Sequence, residues 1–242
     1  MTGRGAALVT GAARRIGRVL ASTAAEAGYD VALHVRAMDD DAEAAAGEVR
    51  ARGRKARIVI CDLRKESETV ALVGEAEAEL GAVTLLVNCA SVFEDDSFAD
   101  MNRASWDLHM ETNLRAPLVL SQAFARRLAP DRAGLIVNVL DQRVFRTRPD
   151  FFSYSLSKAA LWDATRMMAQ ALAPRIRVNG IGPGPTLPSI HQDQAAFDAE
   201  VASTLLKRPS APREMASALR YLIDAEAVTG QMIAVDSGQH LS

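Results

Sequence analysis

A tyrosine and a lysine four residues apart are the first candidates for chemistry in this chain. Tyr154 and Lys158 enclose the run Tyr-Ser-Leu-Ser-Lys, and on a helix residues at this spacing lie on one face. An ammonium group beside a phenol favours the phenolate and lowers the pKa of the phenol from about 10. A tyrosine tuned in this way can exchange a proton with a substrate near neutral pH. The pair therefore predicts general acid–base chemistry.

A turn of small residues follows the first apolar run of the chain. Residues 10–17 read Thr-Gly-Ala-Ala-Arg-Arg-Ile-Gly and precede an amphipathic stretch. Gly11 permits a tight turn and Gly17 permits close packing of the helix, so that the helix N-terminus can face a phosphate group. The spacing differs from GxGxxG, so an ordinary strand–helix turn is the alternative.

Basic residues accompany this turn. Arg14 and Arg15 lie in it, and His34 and Arg36 end the second predicted strand. NAD-specific folds carry an acidic residue at that strand end, where it binds the ribose hydroxyls. A guanidinium group suits the additional 2′-phosphate of NADP instead, because it can bind phosphate with two hydrogen bonds. The sequence therefore predicts NADPH rather than NADH. Carboxylates at 39–41 are expected to begin the next helix.

Short β-branched runs alternate with longer amphipathic stretches along the chain. This alternation is typical of βαβ units, in which helices cover both faces of a parallel sheet. The predicted strands are Ala6–Thr10, Asp30–Val35, Ala56–Ile60, Thr84–Val87, Leu135–Leu140, Arg175–Asn179 and Met232–Val235. The predicted helices are Ile16–Ala27, Asp41–Arg52, Glu66–Leu80, Thr112–Leu128, Tyr154–Ala173 and Pro212–Asp224. The pattern predicts an α/β fold: a single Rossmann-type doubly wound domain over 1–242, with about seven parallel strands and helices on both faces.

The segment 182–213 interrupts this alternation. It contains five prolines around a polar helical stretch from Gln192 to Leu206, and it is longer than most connections in compact domains. It follows the sixth predicted strand and so lies at the carboxyl edge, where open α/β sheets bind ligands. We expect a substrate loop or lid here, with a plain insertion as the alternative.

Composition excludes several classes of protein. The 28 Lys and Arg residues nearly balance 30 Asp and Glu, for a net charge of −2, which lacks the basic excess of a nucleic-acid-binding protein. No apolar run reaches the ~18 residues of a membrane span. Cys61 and Cys89 are too few for a disulfide framework and form no CxxC pair, so no metal site is expected. The first strand begins too early for a signal peptide to precede it, so we expect a cytoplasmic protein.

Together these motifs resemble the short-chain dehydrogenase/reductase family. TGxxxxxG, Asn88 to Ser91, Asn113, YxxxK and Pro183-Gly184 occur in the order and spacing of that family over essentially the whole chain. The resemblance implies a nicotinamide cofactor and hydride transfer, with Tyr154 as the proton donor. It also implies that Lys158 binds the nicotinamide ribose and lowers the pKa of the tyrosine. Asn113 would hold a water in the proton relay, and Pro183 and Gly184 would pass beside the nicotinamide.

Two departures from the common family pattern are informative. Most members carry glycine at the position of Arg15 and a catalytic serine where this chain has Asp141, thirteen residues before the tyrosine. An ionised carboxylate accepts hydrogen bonds and donates none, so it suits a substrate that presents N–H groups or a ring nitrogen to be protonated. With His34, Arg36 and the run Ser91-Val92-Phe93, these departures resemble the pteridine reductases and bacterial dihydromonapterin reductases.

That branch implies roles for the residues facing the substrate. Phe93 would stack a flat pterin against the nicotinamide, with a loop anchor as the alternative. Ser91 and Arg15 would contact cofactor phosphate and substrate. Asp141 with Tyr154 would deliver the proton, and a helix cap or an ion pair with a neighbouring arginine is the alternative for Asp141.

The predicted site residues lie at the ends of the strands and the starts of the helices. The cofactor-binding set is Gly11, Arg14, Arg15, Ile16, Gly17, His34, Arg36, Asp62, Leu63, Asn88, Ala90, Ser91, Tyr154, Lys158, Pro183 and Gly184. The substrate-binding set is Ser91, Phe93, Asp141 and Tyr154, and the catalytic set is Tyr154, Lys158, Asp141 and Asn113. Asp62 suits either an adenine amino group or a helix cap, and Asn88 suits a brace between strands.

These observations predict an NADPH-dependent reductase that acts on a pterin-like heterocycle. A ketone or alcohol dehydrogenase of the same family is the first alternative, and a non-catalytic NADPH-binding sensor is the second. The expected partners are a small-molecule substrate and further copies of the chain, with no nucleic acid and no membrane. The resemblance implies a homotetramer or homodimer formed through the helices at Thr112–Leu128 and Tyr154–Ala173.

Overall fold

Seven parallel strands form one sheet in the order β3-β2-β1-β4-β5-β6-β7. The structure is a computed structural model that describes residues 4–188 and 192–242. The strands are β1 Ala6–Thr10, β2 Asp30–Val35, β3 Ala56–Ile60, β4 Val83–Asn88, β5 Gly134–Val139, β6 Ile176–Pro183 and β7 Met232–Val235. The predicted fold class is confirmed. Residues 1–3 of the predicted domain and 189–191 of the predicted lid lie outside the described residues.

Helices cover both faces of the sheet. They are α1 Arg15–Glu26, α2 Asp40–Ala51, α3 Glu66–Leu80, α4 Arg103–His109, α5 Ala116–Arg127, α6 Phe152–Leu172, α7 Gln194–Ser203 and α8 Pro212–Asp224. One core joins the sheet to α1, α2 and α8, and the other joins it to α3, α5 and α6. Successive side chains of a strand point to opposite faces, so Ala7 and Val9 enter the first core while Ala6 and Leu8 enter the second.

The strand order reverses at β1, which lies between β2 and β4. In open α/β sheets the crevice for ligands forms at such a reversal, outside the carboxyl ends of the strands. The segments that follow β1, β4 and β5 all leave the sheet at this edge. The topology therefore brings together motifs that are far apart along the chain.

The largest difference from the predicted elements lies at Thr112–Leu128. In place of one helix the structure has α4, a π-helical segment Met110–Arg115 and α5. The chain turns helical early because the Asn102 side chain accepts hydrogen bonds from the backbone of Ala104 and Ser105, in a capping box. Strand β6 also runs four residues past its predicted end. Other boundaries agree within two residues.

The polar stretch predicted as helical between Gln192 and Leu206 contains α7. Glu200 in this helix accepts hydrogen bonds from the side-chain amides of Gln192 and Gln239, at 2.7 and 2.8 Å. The helix is thus tied to the C-terminal 3-10 turn Gln239–Leu241. Within 4–188 and 192–242, no helix is both long and apolar enough to cross a membrane.

Candidate active site

A cleft of about 970 Å³ lies at the carboxyl edge of the sheet, within the range typical of cofactor and substrate pockets. It brings together most of the predicted site residues: Gly11, Arg14, Arg15, Ile16, Gly17, His34, Arg36, Asp62, Leu63, Ala90, Ser91, Phe93, Asp141, Tyr154, Lys158, Pro183 and Gly184. Two predicted residues, Asn88 and Asn113, do not line it.

The first turn packs backbone directly against backbone. Gly11 has a φ of +65°, and a Cβ atom there would lie 3.0 Å from the Cα atom of Ala90. A Cβ atom at Gly17 would lie 2.1 Å from the carbonyl oxygen of Gly11. Only glycine fits at position 17, and α1 therefore begins close to the turn with its N-terminus at the cleft. This is the arrangement that binds a pyrophosphate.

Arg15 connects this turn to the segment after β6. Its backbone has a φ of +51°, a left-handed conformation that is unusual for any residue with a Cβ atom. Its guanidinium group donates hydrogen bonds to the carbonyl oxygens of Pro188 and Leu187, at 2.8 and 3.1 Å. The arginine thus spans from the phosphate turn to the start of the predicted lid.

The positive charge predicted around the first turn is partly neutralised, because one of the arginines there forms ion pairs. Arg14 forms ion pairs with Asp39, at 2.7 Å, and with Asp41. Asp39 also caps α2 by accepting a hydrogen bond from the backbone of Ala42, as the acidic run predicted. Among the residues that the structure describes, the exposed Arg36 makes no ion pair. Arg36 is therefore the cation at this end of the cleft that remains available for a phosphate.

His34 carries no charge in this structure, which corrects its place in the predicted basic cluster. Its Nδ1 atom accepts a hydrogen bond from the backbone N–H of Gly11, at 3.3 Å. Its Nε2 atom must then hold the proton, and donates it to the carbonyl oxygen of Cys61 at 3.1 Å. Burial lowers the pKa of the ring. His34 therefore fixes the first turn against the end of β3 as a neutral residue.

Asp62 and Asn88 have structural partners. The carboxylate of Asp62 accepts hydrogen bonds from Arg64 at 2.6 to 3.2 Å, which lower the pKa of Asp62 to about 2. The cap position of α3 is Lys65, so the predicted helix cap at Asp62 is wrong. Asn88 donates a 2.8 Å hydrogen bond to Asn138 in β5. It braces two strands, as the sequence suggested, and does not line the cleft. Its place in the cofactor-binding set stays a prediction.

Tyr154 and Asp141 meet at the centre of the cleft. Asp141 follows β5 and caps a short 3-10 turn, with its Oδ1 atom accepting from the backbone N–H of Arg143 at 2.8 Å. Its Oδ2 atom accepts a 2.7 Å hydrogen bond from the Tyr154 hydroxyl. Burial raises the pKa of Asp141. The carboxylate therefore serves as a cap with one oxygen and holds the tyrosine with the other.

The pKa of Tyr154 differs from the expectation for a tyrosine near a lysine. Burial and the negative charge of Asp141 raise it well above 10. Lys158 donates a 2.9 Å hydrogen bond to the carbonyl oxygen of Val139, and its Nζ atom lies 5.8 Å from the centre of the tyrosine ring. Burial lowers the pKa of Lys158 to about 8. The expectation that Lys158 lowers the pKa of Tyr154 is wrong for this structure.

Asn113 lies in the π-helical segment Met110–Arg115 and is fully buried. Its side-chain oxygen accepts from the backbone N–H of Val92 at 2.8 Å, and its amide donates to the Val92 carbonyl at 2.9 Å. The amide also donates to the hydroxyl of Ser157 at 3.1 Å. The side chain thus fastens the segment after β4 to α6, one turn from Tyr154.

Phe93 lies at the wall of the cleft between two aromatic rings. Its ring stacks on Phe151 at a centroid distance of 4.1 Å and meets Tyr154 edge-on at 4.7 Å. Phe151 has a φ of +52° and is the N-cap residue of α6. Phe151 was not among the predicted site residues, because an aromatic residue before a helix has no distinguishing spacing. The guanidinium group of Arg143, also missed, lies 5.2 Å from the Phe151 ring.

A buried chain of hydrogen bonds supports the first turn of α6. The backbone N–H of Glu94 donates to Nε2 of His109 at 3.2 Å, so Nδ1 of His109 donates to the Ser153 hydroxyl at 2.7 Å. Ser153 donates to Asp96 through both its hydroxyl and its backbone N–H. Burial alone would raise the pKa of Asp96, but the hydrogen bonds from Ser153 outweigh it and hold that pKa below its usual value.

The model of the family described as "short chain dehydrogenase" matches residues 5–199 of this chain. The chain belongs to the short-chain dehydrogenase/reductase family. The resemblance predicted from the motifs is thereby confirmed, and the chain is an oxidoreductase of this family. Within the described parts of the chain, no group of three His, Cys, Asp or Glu side chains could hold a metal ion.

Relatives of this family member span nearly its whole length. The 3-oxoacyl-[acyl-carrier-protein] reductase FabG of Staphylococcus epidermidis is 30% identical and covers 97% of this chain and 98% of its own. Gluconate 5-dehydrogenase of Gluconobacter oxydans is 31% identical, with coverages of 96% and 93%. The crystal structure of FolM alternative dihydrofolate reductase 1 from Brucella suis, in complex with NADP, is 44% identical with a TM-score of 0.95 and covers 100% of this chain and 97% of its own.

Proposed function

We propose that this oxidoreductase uses NADPH to reduce a pterin-like heterocycle. The observation that carries the proposal is the 2.7 Å hydrogen bond from Tyr154 to Asp141, a carboxylate in the position of the usual family serine. A pterin presents amino and ring N–H groups, from which a carboxylate can accept hydrogen bonds. The carbonyl oxygen of a ketone substrate needs a hydrogen-bond donor instead. The similarity to a dihydrofolate reductase structure supports the same substrate class.

The cleft has the features that an NADP-type cofactor requires. The turn from Gly11 to Gly17 would hold the pyrophosphate, because its glycines carry no side chain that would keep a ligand from the backbone and because α1 begins there. Arg36 would bind the 2′-phosphate. Lys158 would bind the nicotinamide ribose, and Pro183 and Gly184 would lie beside the nicotinamide. When bound, NADPH supplies a hydride. The NADP bound in the Brucella suis structure supports this assignment.

The residues of the chain would position the substrate and supply the proton. Phe93, held by its stack on Phe151, offers a flat apolar wall for a heterocycle, and such stacking contributes about 0.5–1.5 kcal/mol beyond burial. Hydride addition to the carbon of a C=N bond leaves a nitrogen that must gain a proton. Tyr154 keeps its proton because its pKa is raised. It would turn this proton from Asp141 to the substrate nitrogen as the new N–H bond forms and its own O–H bond breaks, while Asp141 accepts a substrate N–H. Asn113 would hold a water of the proton relay.

A ketone or alcohol dehydrogenase is the second candidate, because FabG and gluconate 5-dehydrogenase are relatives over the full chain. NADPH oxidation should be measured with 7,8-dihydropterins, quinones and simple ketones. The pterin proposal predicts turnover of dihydropterins, and turnover of ketones alone would overturn it. Tyr154→Phe should abolish turnover and preserve NADPH binding, whereas a non-catalytic sensor would respond equally with either residue.

The proposal includes a single cofactor-binding domain that assembles as a homo-oligomer in the cytoplasm. Helix α6 supports assembly, because it carries the exposed apolar side chains Leu156 and Met167, the latter 68% exposed. Pairing between copies would remove these side chains from water. Sedimentation of the native protein should give a dimer or tetramer. A monomer at micromolar concentration would contradict this part of the proposal.

A further inference from the structure

A smaller pocket of about 210 Å³ opens beside the main cleft. It is lined by Gln142, Arg146, Arg148, Ser203, Gln239 and Ser242. Four of these, namely Gln142, Arg148, Ser203 and Gln239, also line the main cleft, so the two spaces adjoin. Gln142 directly follows Asp141 in the chain. The side pocket therefore begins one residue from the carboxylate that holds Tyr154.

The loop that forms this side pocket carries an excess of positive charge. Residues 142–150 contain three arginines and one acidic residue, Asp150. The carboxylate of Asp150 forms ion pairs with the guanidinium groups of Arg143, at 3.0 Å, and Arg148, at 3.3 Å. One negative charge is thus shared by two positive charges. Within residues 4–188 and 192–242, Arg146 makes no ion pair. The charge of this loop is only partly neutralised.

Within residues 4–188 and 192–242, no Asp or Glu side chain lines the side pocket. Helix α7, which contributes Ser203 to the side pocket, also carries Glu200, which lines the main cleft. Both of its oxygens accept hydrogen bonds, one from Gln192 and one from Gln239. Both oxygens of Glu200 are thus occupied by side-chain amides, and the charged side chains that line the side pocket are those of Arg146 and Arg148.

Gln142 gives a second, independent sign of a ligand. The residue is only 6% exposed, yet its side-chain amide makes no hydrogen bond with any described residue while it lines both spaces. The atoms of this amide are not among the fully buried polar atoms that lack a partner, so the amide opens onto the pocket, where a ligand can meet it. An amide N–H beside two guanidinium groups matches the oxygens of a carboxylate or phosphate, which arginine binds with two parallel hydrogen bonds.

We propose that this side pocket binds an anionic group, a carboxylate or a phosphate, on the side chain of the substrate. The inference rests on the proposed function, which puts the heterocycle against Phe93 in the main cleft. The phosphates of the cofactor belong elsewhere, since the turn from Gly11 to Gly17 and Arg36 line the main cleft and not this pocket. Anionic dihydropterins are therefore better substrates than neutral ones of the same ring.

The test compares three substrates with the same reacting ring. 7,8-Dihydrobiopterin has an uncharged side chain, dihydrofolate carries carboxylates, and 7,8-dihydroneopterin 3′-phosphate carries a phosphate. In the double variant Arg146→Gln/Arg148→Gln, the ratio of kcat/KM for an anionic substrate to that for dihydrobiopterin should fall about tenfold. The loss should be in KM, because the contact is equally present before and during reaction. Added salt should raise the KM of the native enzyme for the anionic substrate.

Arg132→Gln is the matched control, because Arg132 is exposed and lines neither space. It should leave the substrate ratio at the native value. A response confined to dihydrofolate, or to the phosphate, supports the inference and identifies the anion. If the native enzyme reduces dihydrobiopterin but the double variant keeps the native ratio for both anions, the inference is overturned and the proposed function stands. If the native enzyme reduces none of the three, the proposed function fails and the inference with it.

Discussion

The hydroxyl of Tyr154 donates a 2.7 Å hydrogen bond to Oδ2 of Asp141, thirteen residues earlier in the chain. The two side chains come from different elements, one from the first turns of α6 and the other from the end of β5. The bond gives the proton donor a fixed direction and raises its pKa at the same time. A tyrosine held in this way stays protonated, so it acts as a proton donor and not as a phenolate base.

Replacing Asp141 by Asn should remove the negative charge while preserving the size of the side chain. We expect kcat/KM for a dihydropterin to fall by about 10²-fold or more, the scale of an acid–base contribution. The pKa of Tyr154 should fall, because the raising effect of the carboxylate is gone and only burial remains. Steady-state kinetics and an ultraviolet titration of the phenol measure both effects. An Asp141→Asn enzyme with native activity on dihydropterins would contradict the role of the carboxylate.

Lys158 should make the stability of the cofactor-free protein depend on alkaline pH. Its pKa is about 8 in the fold against 10.5 for an ordinary lysine, so between these values the unfolded chain binds more protons. The free energy of unfolding should therefore rise with pH across this window, by about 3 kcal/mol at most. Lys158→Met should remove this part of the rise. Urea unfolding of both proteins at pH 7 and pH 10 measures it, and identical differences at the two pH values would refute it.

Gly17→Ala should abolish cofactor binding. The added Cβ atom would lie 2.1 Å from the carbonyl oxygen of Gly11, so the turn or α1 must move. Gly47→Ala is a matched control, since Gly47 lies within α2 and nothing lies within 4 Å of the place that its added methyl group would take. The control should bind NADPH normally and gain up to about 1 kcal/mol of helix stability. Fluorescence titration with NADPH and thermal unfolding distinguish the two. Normal binding by Gly17→Ala would show that the turn does not hold the cofactor.

Arg36→Gln should weaken NADPH far more than NADH. Arg36 is exposed and makes no ion pair with a described residue, whereas the guanidinium group of Arg15 is occupied by two carbonyl oxygens. Losing a charged phosphate contact costs about tenfold in affinity or more. Arg14→Gln is the control, because Arg14 is already paired with Asp39 and Asp41. The measurement is the Kd of each variant for both cofactors. Equal losses of NADPH and NADH affinity in Arg36→Gln would be inconsistent with 2′-phosphate recognition.

Asp96→Asn should destabilise the protein and change its acid sensitivity. The pKa of Asp96 is lowered in the fold, so its contribution is present above the ordinary pKa of about 4 and is lost as pH falls through the folded value. Losing the charged partner of Ser153 should cost about 1.5–3 kcal/mol at pH 7. The exposed neighbour Asp95, changed to Asn, should have little effect. Chemical unfolding at pH 7 and pH 3 tests this, and equal stability of the two variants at pH 7 would disprove it.

Much of the fold could be predicted because the physics is local. Apolar β-branched runs predicted all seven strands. The alternation of strands with helices predicted a parallel sheet, and therefore a ligand site at the carboxyl ends of its strands. The first turn and the Tyr154–Asp141 pair lie in the predicted cleft for the same reason. The roles of residues whose neighbours are distant in sequence could not be predicted. His34 was placed among cations because its two hydrogen-bond partners, from Gly11 and Cys61, cannot be read from the chain.

The π-helical segment Met110–Arg115 makes this region intolerant of changes in chain length. A π-helix carries one more residue in each hydrogen-bonded turn than an α-helix. Deleting one residue here would let α4 run into α5 as a regular helix, and the side chains inside the segment would change the face on which they lie. Asn113 would then turn away from Val92 and Ser157, both of which it now holds. The extra residue of this segment thus sets where the side chain of Asn113 lies, and insertions or deletions should be far more harmful here than substitutions.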